Sequence, residues 1–567
     1  MQSNFGRTVL VVAFALTTRY AAGQANRARP ARAAAEHRAA GKDDRGRSAV
    51  PARFWESAAA MCSVSIRTRS NLDPPLPGRS GMQRSKPIHI TDPAQVSSEL
   101  DRLKAAGCAG IDVGQVSEVS GRVYAVLATT DHYKLTSEVE GTLDDFRRFI
   151  RTAHSKGMAV TTFYNLGYCS IDAPFFLKAQ DDVRAGRTNT REARWFIWSD
   201  TPNAPPPPGD TIFMVADPLR TWSYGAKGPL NTFSYGYDPA HPGPTDYWMG
   251  LKIIKPGIWE YSTRAGKYYW SKWGGRHPDG LDDLGRRIQM PHYNWYNREW
   301  QEEAAKIIHF WMDTGLDGIS QDAPNWYPGC GWDVTRRWIT GVIGSYGNVY
   351  MQAEGAGVLF EDPSAWITEG GYNSVRDYSL GGYTGVDNSG AILKAFETND
   401  PWPIEAALRA YHDKVVDVRG VLWAMNARRP DDPPAKRQLQ LAMHAVLGEI
   451  LSGPDYREDP KLRWLLQTKA AHPALYNLSK RRKLPTAADD KHYAFLRTAA
   501  DGSERILVVT NFQADAQTVD VDLSGVATAG LVDLESKTES PRQWSFKVEL
   551  PAYGYKLYQV KPATQLQ

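Results

Sequence analysis

Two acidic residues in the middle of this 567-residue chain each end a strand-like run. Asp322 closes the run GLDGISQD and is followed by a turn rich in Pro and aromatic residues, and Glu354 closes NVYMQAE. Because side chains alternate along a strand, each acid shares a face with the residues two and four positions before it. These sets are Gly318, Ser320 and Asp322 in the first run, and Tyr350, Gln352 and Glu354 in the second.

The two acids are 32 residues apart, which is the length of one strand-and-helix unit. If consecutive units place their strands side by side in a parallel barrel, both acids point inward at neighbouring strand tips. Two carboxyl groups about 5 to 5.5 Å apart can act on a glycosidic bond: one attacks the anomeric carbon, and the other protonates the departing oxygen and later activates water. The spacing therefore predicts sugar chemistry with retention of configuration.

Either acid alone also fits a structural role, capping the next helix or pairing with an arginine on the rim. Both acids together, beside loops dense in aromatic residues, favour the catalytic interpretation. Trp326 and Tyr327 follow Asp322 by four and five residues and are the candidates for stacking on a sugar ring. In a large barrel, however, most of the 19 Trp and 27 Tyr belong to the core.

Units of one helix and one strand recur along the chain and supply a frame for these acids. In residues 91–113, Asp92 can cap a helix that Gly107 ends before a short strand. A second unit begins at the capping-box spacing of Thr142 and Asp145. A third and a fourth unit end in the strands that carry the two acids.

Alternating helices and short strands predict a parallel sheet in an α/β fold, and this many units favour a closed (β/α)8 TIM barrel over residues 54–475. An irregular stretch at about 168–273, dense in Pro, Gly, Trp and Tyr, is predicted to be an inserted domain that walls a cleft. Strand signals such as HYAFLRT and ERILVVTNF predict a C-terminal antiparallel β-sandwich domain over 485–562.

The N-terminus has the layout of a secretory signal peptide over residues 1–25, with Arg7 before an apolar stretch and small residues after it. Arg19 interrupts this layout, so a buried or transit segment is the alternative. Residues 26–53 are rich in Ala and basic side chains and predict a disordered linker. No later run approaches the roughly 18 apolar residues of a membrane span. We therefore expect a secreted or periplasmic protein without a membrane anchor.

Charge and cysteine content argue against two other classes of protein. The net charge of +4 arises from the basic N-terminal residues, so the remaining chain is mildly acidic and nothing favours binding to nucleic acid. The four cysteines are widely spaced and form no metal-type cluster, and one or two disulfides would fit an exported protein without being required. We predict no metal site, no required cofactor, and a carbohydrate as the binding partner. The sequence leaves the oligomeric state open.

The chain resembles glycoside hydrolase family 13, the α-amylase family, from about Phe54 to Tyr456. The resemblance is carried, in order, by FWESAAAMCSVSIRT, DHYKL, EGTLDDFRRFIRTAHSKGMAVTTFYN, MPHYNWYNREWQEEAAKIIHFWMDTGLDGISQDAP and VYMQAEG. It implies a (β/α)8 barrel with a domain inserted after the third strand, and hydrolysis of α-glycosidic bonds in oligo- or polysaccharides with retention. In the family pattern Asp322 matches the nucleophile at the fourth strand, and Glu354 matches the general acid/base at the fifth.

Several positions depart from the family pattern. The family carries an Arg two residues before its nucleophile, and here that position is Ser320. At the third strand it carries an Asp four residues before an Asn and a His directly after it. Asn165 keeps the Asn, but Thr161 and Leu166 occupy the other two positions. In the family the Asn often supports the inserted domain or a Ca²⁺ ion, and we place Asn165 among the substrate-binding residues. A single Asn predicts an ion poorly.

The family also carries a His-Asp pair after its seventh strand, whose Asp helps to hold and distort the sugar. The matching segment here is LWAMNARRPDD, in which Asn426 is followed by Ala427 and Arg428. The third acid is therefore missing at its expected place. Acids that could replace it are Asp387, Asp413, Asp431 and Asp432.

These departures bear on mechanism and leave two hypotheses. An arginine beside a carboxylate lowers its pKa, so Asp322 needs another donor to stay ionised. Losing groups that hold the sugar costs transition-state stabilisation unless other residues replace them. The first hypothesis is a retaining glycosidase or transglycosidase that uses Asp322 and Glu354. The second is a non-catalytic carbohydrate-binding barrel that lost its supporting residues.

Overall fold

A computed structural model describes residues 49–68, 87–119, 127–205, 207, 222–223, 229–230, 258–272, 290–324, 327–354, 363–381, 390–424, 432–452 and 459–563. All of them belong to the unit that runs from Arg45 to Gln567. The predicted signal peptide at 1–25 lies outside these residues, as does the predicted linker at 26–53 except for its last five residues.

The first units form where their capping signals predict. The Asp92 carboxylate accepts hydrogen bonds from the backbone N–H groups of Ala94 and Gln95 at the start of α1. Thr142 and Asp145 form the predicted capping box at the start of α2. In chain order the elements are a 3-10 turn (Phe54–Glu56), β1 (Ala60–Ser63), α1 (Pro93–Ala105), β2 (Cys108–Asp112), β3 (Ser117–Val119), β4 (Thr129–Leu135), α2 (Leu143–Ser155) and β5 (Ala159–Tyr164).

The chain then enters the segment predicted as an insertion. Three strands of this segment, β6, β9 and β10, form one antiparallel sheet together with β11, which lies beyond its predicted end, and Tyr269 and Trp270 on β10 are buried. The elements are α3 (Pro174–Arg184), α4 (Arg191–Arg194), β6 (Trp198–Ser199), β7 (Trp222–Ser223), β8 (Pro229–Leu230), β9 (Ile258–Ser262), β10 (Lys267–Lys272) and β11 (Met290–Pro291).

The second half of the barrel repeats the helix-and-strand unit with more broken helices. α5 (Arg298–Met312) leads to β12 (Gly318–Gln321), the strand before Asp322. The remaining elements are α6 (Trp332–Thr335), a π-helical turn (Arg336–Thr340), α7 (Gly341–Gly344), β13 (Tyr350–Ala353), α8 (Ser364–Thr368), β14 (Ser374–Asp377), α9 (Tyr378–Gly381), α10 (Ala391–Thr398), α11 (Trp402–Ala407), a second π-helical turn (Leu408–His412), α12 (Asp413–Asp417), β15 (Val421–Ala424), α13 (Pro434–Leu447), β16 (Glu449–Ile450), α14 (Pro460–Ala471) and a 3-10 turn (Pro473–Leu475).

Eight parallel strands form the barrel, in the order β1-β2-β5-β12-β13-β14-β15-β16. The ring closes where the Met61 N–H donates to the Leu451 carbonyl at 2.9 Å and the Leu451 N–H donates to the Ala59 carbonyl at 3.1 Å. Large apolar side chains fill the interior, including Met61, Tyr350, Val421, Trp423 and Ile450. The predicted (β/α)8 barrel is confirmed.

Strand register brings the two predicted acids together. Ser320 pairs with Gln352 across β12 and β13, so the positions two residues later are neighbours too. The ladder continues through both acids: the Asp322 N–H donates to the Tyr164 carbonyl at 3.0 Å, and the Glu354 N–H donates to the Gln321 carbonyl at 2.9 Å. The period-two argument for their shared inward face holds.

The C-terminal domain is built from two antiparallel sheets, a six-stranded one in the order β17-β18-β19-β24-β21-β22 and the pair β20-β23. Val519, Phe546 and Tyr558 are among the apolar residues packed between the sheets. The strands are β17 (Lys480–Leu484), β18 (His492–Thr498), β19 (Arg505–Asn511), β20 (Gln517–Asp522), β21 (Gly530–Asp533), β22 (Glu539–Pro541), β23 (Ser545–Leu550) and β24 (Tyr555–Lys561).

The structure also shows how the cysteines pair and whether a helix could cross a membrane. A disulfide joins Cys62 on β1 to Cys108 on β2, while Cys169 and Cys330 are thiols. No helix in the described part of the chain combines the length and apolar character that crossing a membrane requires.

Candidate active site

Asp322 and Glu354 form a buried acid pair at the carboxyl ends of β12 and β13. Asp322 is only 8% exposed to solvent, and Glu354 only 9%. The two carboxyl groups interact directly, and this interaction is one of the causes that raise the pKa of Asp322. The structure therefore brings together the two residues that the sequence singled out for catalysis.

Two tyrosines hold Asp322 in place. The Tyr168 hydroxyl donates to Asp322 Oδ2 at 3.1 Å, and the Tyr327 hydroxyl donates to the Asp322 backbone carbonyl. Directly after the acid, Ala323 adopts a φ of 34°, in the left-handed region that residues with a side chain rarely occupy. The chain thus turns sharply after the acid, and the tyrosine bonds brace this turn on both sides of the carboxylate.

Tyr327 is a bracing residue in this geometry and offers no open ring face. It is 4% exposed, its ring stacks on Trp295 with centroids 5.8 Å apart, and its hydroxyl accepts the Leu166 N–H at 3.1 Å. A Cβ on Gly167 would collide with the ring, so a glycine is needed there for the two segments to meet. Trp326, the other aromatic predicted to contact substrate, lies outside the described residues.

Asn165 is fully buried, and backbone groups occupy its amide. Its Nδ2 donates to the carbonyls of Leu127 and Tyr168 at 3.2 and 2.9 Å, and its Oδ1 accepts the Gly167 N–H at 2.7 Å. In this arrangement Asn165 holds the loop that carries Tyr168. The Asn165 amide oxygen, the atom that would bind a Ca²⁺ ion, accepts the Gly167 N–H.

Arg376, on β14, lies beside the acid pair. Its Nη1 donates to Glu354 Oε1, and its Nε donates to Gln352 Oε1 at 3.2 Å. The guanidinium also lies over the Phe163 ring, with its carbon 4.4 Å from the ring centroid. Ser320, which occupies the position of the family arginine, donates its hydroxyl to the same Gln352 oxygen. The positive charge beside the pair therefore comes from β14 and not from β12.

Burial and the neighbouring acid raise the pKa of Asp322 well above its usual range. Loss of hydration on burial is the largest cause, followed by the charge of Glu354 and the hydrogen bond to it. The Tyr168 hydroxyl and the Arg376 guanidinium act in the opposite direction, because both favour the ionised carboxylate. Asp322 thus keeps its proton to a higher pH than a surface aspartate would.

Two of the four candidates for the missing third acid have other partners. Asp432 forms an ion pair with Lys436 at 3.0 Å, on the turn into α13. Asp413 forms an ion pair with Arg481, with Nη2 2.7 Å from Oδ2, where the barrel meets the C-terminal domain. Asp387 and Asp431 lie outside the described residues, as does the segment from Asn426 to Arg428.

A further buried acid, Asp112, ends β2, and its charge interacts with that of Arg376. Its carboxylate accepts hydrogen bonds from the Gly114 N–H and the Thr161 hydroxyl, both at 3.0 Å. Burial raises the pKa of Asp112 despite these bonds. Sequence reasoning missed Asp112, Tyr168 and Arg376. The signal for Asp112 was present, because it follows GCAGI at the end of a predicted strand.

Comparison with known proteins finds similar sequences and structures among α-amylase-type proteins. The model of the maltogenic amylase C-terminal domain matches residues 483–557. A trehalose synthase from Thermus thermophilus is 24% identical over 198 residues, which cover 34% of this chain and 14% of the relative. A probable oligo-1,6-glucosidase 2 from Bacillus subtilis (strain 168) is 22% identical over 233 residues, which cover 41% of this chain and 31% of the relative. These matches support the resemblance to glycoside hydrolase family 13, the α-amylase family.

The matches to these two relatives span less than a third of each relative's length. A solved α-amylase structure from H. orenii has a similar fold, with a TM-score of 0.55 at 16% identity over 88% of this chain and 99% of the amylase. The structural likeness supports the fold, and the chemistry of the site is argued from its residues.

Proposed function

We propose that this chain is a retaining enzyme for α-glycosidic bonds in oligo- or polysaccharides, with Asp322 as nucleophile and Glu354 as general acid/base. The observation that carries the proposal is the buried acid pair at neighbouring strand ends of the barrel. In TIM-barrel enzymes chemistry takes place at this carboxyl end of the strands. Arg376 and Tyr168 supply the donors that ionised acids need in such a site.

The separation of the two carboxyl groups favours retention over inversion. An inverting pair stands about 6.5 to 9.5 Å apart to leave room for a water, whereas a retaining pair stands about 5 to 5.5 Å apart. Asp322 and Glu354 interact directly with each other, which fits the closer spacing of a retaining pair.

The proposed steps follow from these positions. Glu354, protonated, donates its proton to the glycosidic oxygen while an Asp322 oxygen attacks the anomeric carbon and the leaving sugar departs. Water then loses a proton to Glu354 and attacks the same carbon, which frees Asp322. Tyr168 stabilises the Asp322 carboxylate when it is ionised before attack and after release.

A transglycosidase is the second candidate, because the first two relatives differ in the reaction that their names describe. One is a trehalose synthase and the other a probable oligo-1,6-glucosidase. Both reactions pass through the same covalent intermediate on Asp322 and differ only in whether water or another sugar accepts the glycosyl group. The product mixture therefore separates the two candidates, and the acid pair serves both.

Proton NMR with a panel of α-linked di- and oligosaccharides tests the proposal. We expect early release of the α anomer or formation of a new α-glycoside, and loss of either product in Asp322→Asn and Glu354→Gln. Asp144→Asn, the same change at an exposed acid on α2, is the matched control and should retain activity. Binding without product, equal in wild type and Asp322→Asn, would support the non-catalytic carbohydrate-binding hypothesis instead.

We also propose export of the protein, on the basis of the signal-like residues 1–25. Fractionation of producing cells and N-terminal sequencing of the purified protein test this. Recovery from the medium or periplasm with a new N-terminus near residue 25 is expected, and an intact Met1 in the cytosolic fraction would contradict it.

A further inference from the structure

Arg376 is held in a fixed orientation by three different contacts. Its Nη1 bonds to Glu354 Oε1, its Nε to Gln352 Oε1, and its plane packs over Phe163. The side chain is 16% exposed, so water screens its charge only weakly. A guanidinium with both hydrogen bonds and ring packing loses little further freedom when a reaction begins, and this is the property of a preorganised charge.

A hydrogen-bonded network below Arg376 fixes the oxygen to which its Nε donates. Gln352 Oε1 also accepts the Ser320 hydroxyl, and Gln352 Nε2 donates to the Tyr350 hydroxyl at 2.9 Å. Tyr350 in turn lies 2.8 Å from the Ser374 hydroxyl. These inward side chains of β12, β13 and β14 bond to one another from strand to strand. The Gln352 amide is thereby locked with its oxygen toward Arg376.

We propose that Arg376 is the positioning residue of the acid pair: it orients Glu354 and stabilises the negative charge of the pair from β14, where Ser320 on β12 offers none. The inference rests on the proposed function, in which both acids change charge during the reaction. Arg376 contacts Glu354 directly and acts on Asp322 through space. It is therefore expected to control the ionisation of the pair without touching the bond that breaks.

The effect of removing Arg376 depends on the titratable groups that surround it. Glu354 on β13 and Asp322 after β12 are the acids beside it, and Asp112 on β2 also interacts with its charge. Tyr350 on β13 is a neutral neighbour whose pKa is raised by burial, and Phe163 on β5 carries no charge. Without Arg376 these acids lose a neighbouring cation, so the ionised forms of Asp322 and Asp112 become less favourable and the pKa values of these two groups rise.

The variant Arg376→Met removes the charge and keeps a long apolar side chain. We expect kcat/KM to fall about 100-fold, mainly through a lower kcat and with little change in KM. The reason is that the Arg376 charge stabilises the acids as their charges change during the reaction, and contributes less to binding of the substrate. The acidic limb of the pH profile, which requires ionised Asp322, should move upward by at least about 1 pH unit. Arg376→Lys keeps the charge but not the planar contacts, so it should leave this limb near its wild-type position while kcat falls.

Arg409→Met is the matched control, since Arg409 also bonds to a buried glutamate, Glu405, at the contact with the C-terminal domain. It should leave the pH profile unchanged. A second readout does not require turnover: pH-difference infrared spectra record the protonated carboxyl of the pair, with Asp322→Asn as the reference. Arg376→Met should raise the pH at which this signal disappears.

The outcomes separate the two proposals. A wild-type protein without turnover contradicts the proposed function, and the infrared titration then still decides the role of Arg376. A wild-type pH profile and an unshifted infrared titration in Arg376→Met would overturn the inference. If Arg376→Met does not fold, Arg376→Gln removes the charge while keeping a hydrogen-bonding side chain, and it must show the same upward shift.

Discussion

Two buried pairs of carboxylic acids in the described part of the chain lie on opposite sides of the barrel wall. Asp322 and Glu354 face the interior at the strand ends, whereas Asp377 on β14 and Glu449 on β16 lie on the outward face of their strands. Both pairs are hydrogen-bonded, and burial raises the pKa of Asp377 to about 7 and that of Glu449 to about 8. Paired acids and raised pKa values are thus common to both regions.

The surroundings of the two pairs differ. Glu449 Oε2 lies 2.7 Å from His444 Nδ1, its backbone carbonyl accepts Lys469 Nζ at 2.7 Å, and both acids of this pair are 0% exposed. Asp377 Oδ1 accepts the N–H and hydroxyl of Ser379, each at 2.6 Å. The outer pair is sealed among helices and ties β14 to β16, while the inner pair retains some exposure and an arginine. Acid pairing therefore identifies a catalytic site only together with the face of the strand on which it lies.

The same substitution in both pairs gives the largest contrast. Asp322→Asn should lower kcat by at least about 1,000-fold, because an amide cannot act as the nucleophile. Asp377→Asn keeps the oxygen that accepts the Ser379 bonds and should change kcat by less than about threefold. Steady-state kinetics on the substrate found by NMR, with circular dichroism as a check of folding, measures both. Equal losses in the two variants would refute the functional difference between the pairs.

Loss of the Tyr168 hydroxyl should give the next largest effect, since this group donates to the proposed nucleophile Asp322. Tyr168→Phe removes the 3.1 Å bond to Asp322 Oδ2 and leaves the ring, which packs 5.4 Å from His292. A hydrogen bond to a charged group contributes roughly 1.5 to 3 kcal/mol, so we expect kcat/KM to fall about 10- to 100-fold. The acidic limb of the pH profile should also rise, because the carboxylate loses a donor that favours its ionised form.

Tyr133→Phe is the matched control for this change. The Tyr133 hydroxyl also donates to a carboxylate, Glu303, but on the outer helix α5. The Tyr133→Phe variant should have the kcat/KM and the pH profile of the wild type. A Tyr168→Phe variant with wild-type kinetics would show that the Asp322 bond does not matter for the reaction.

The outer pair should reveal itself in stability. The folded-state pKa of Glu449, about 8, lies above the ordinary glutamate value of about 4.3, so the folded protein holds this proton more tightly than the unfolded chain does. The stability from the bound proton is complete below about pH 4 and is lost as the pH rises toward 8. Glu449→Gln keeps the group neutral at every pH and should remove on the order of 1 to 3 kcal/mol of this dependence.

Denaturant unfolding of Glu449→Gln and wild type between pH 5 and pH 8.5 measures the difference. Glu549→Gln, at an exposed acid on β23, is the control and should follow the wild type. A wild-type slope in Glu449→Gln would show that the outer pair does not hold a proton in this range. At high pH the wild type loses stability as Glu449 ionises, so Glu449→Gln should be the more stable of the two there. This distinguishes the outer pair from the inner one, where replacing an acid lowers activity.

The two pairs also differ in how well the sequence predicts them. Alternation along NVYMQAE and GLDGISQD located Asp322 and Glu354, because each run has a clear apolar face and a clear polar one. The four-residue strand of β14 reads SVRD, in which two charged residues stand next to each other. With so short a strand, sequence alone does not tell which of Arg376 and Asp377 faces inward.

Other features of the site depend on contacts that are remote in the chain. Tyr168 lies in a loop, where no periodicity applies, and it reaches Asp322 across 154 residues. The Cys62 pairing with Cys108 joins neighbouring strands 46 residues apart. By contrast, the caps at Asp92 and Thr142 were predicted correctly because their hydrogen bonds span only two or three residues. Local signals fix where elements begin, and the barrel then decides which side chains meet.

Ala323 offers the smallest and most specific difference between the two pairs, because the backbone is forced into the left-handed region directly after the inner nucleophile. Ala323→Gly should relieve this conformation, which has a φ of 34°, but also loosen the unfolded chain, so the net change in stability stays within about 1 kcal/mol. Asn399→Gly is the control, because it relieves a left-handed backbone conformation with a φ of 52° after helix α10. If the turn at Ala323 serves to aim Asp322, kcat should fall a few-fold in Ala323→Gly and remain unchanged in Asn399→Gly, although the two variants are equally stable. An unchanged kcat in both would mean that the bonds of Tyr168 to the carboxylate and of Tyr327 to the backbone carbonyl are enough to hold Asp322, and that the strained turn only connects β12 to the loop that follows.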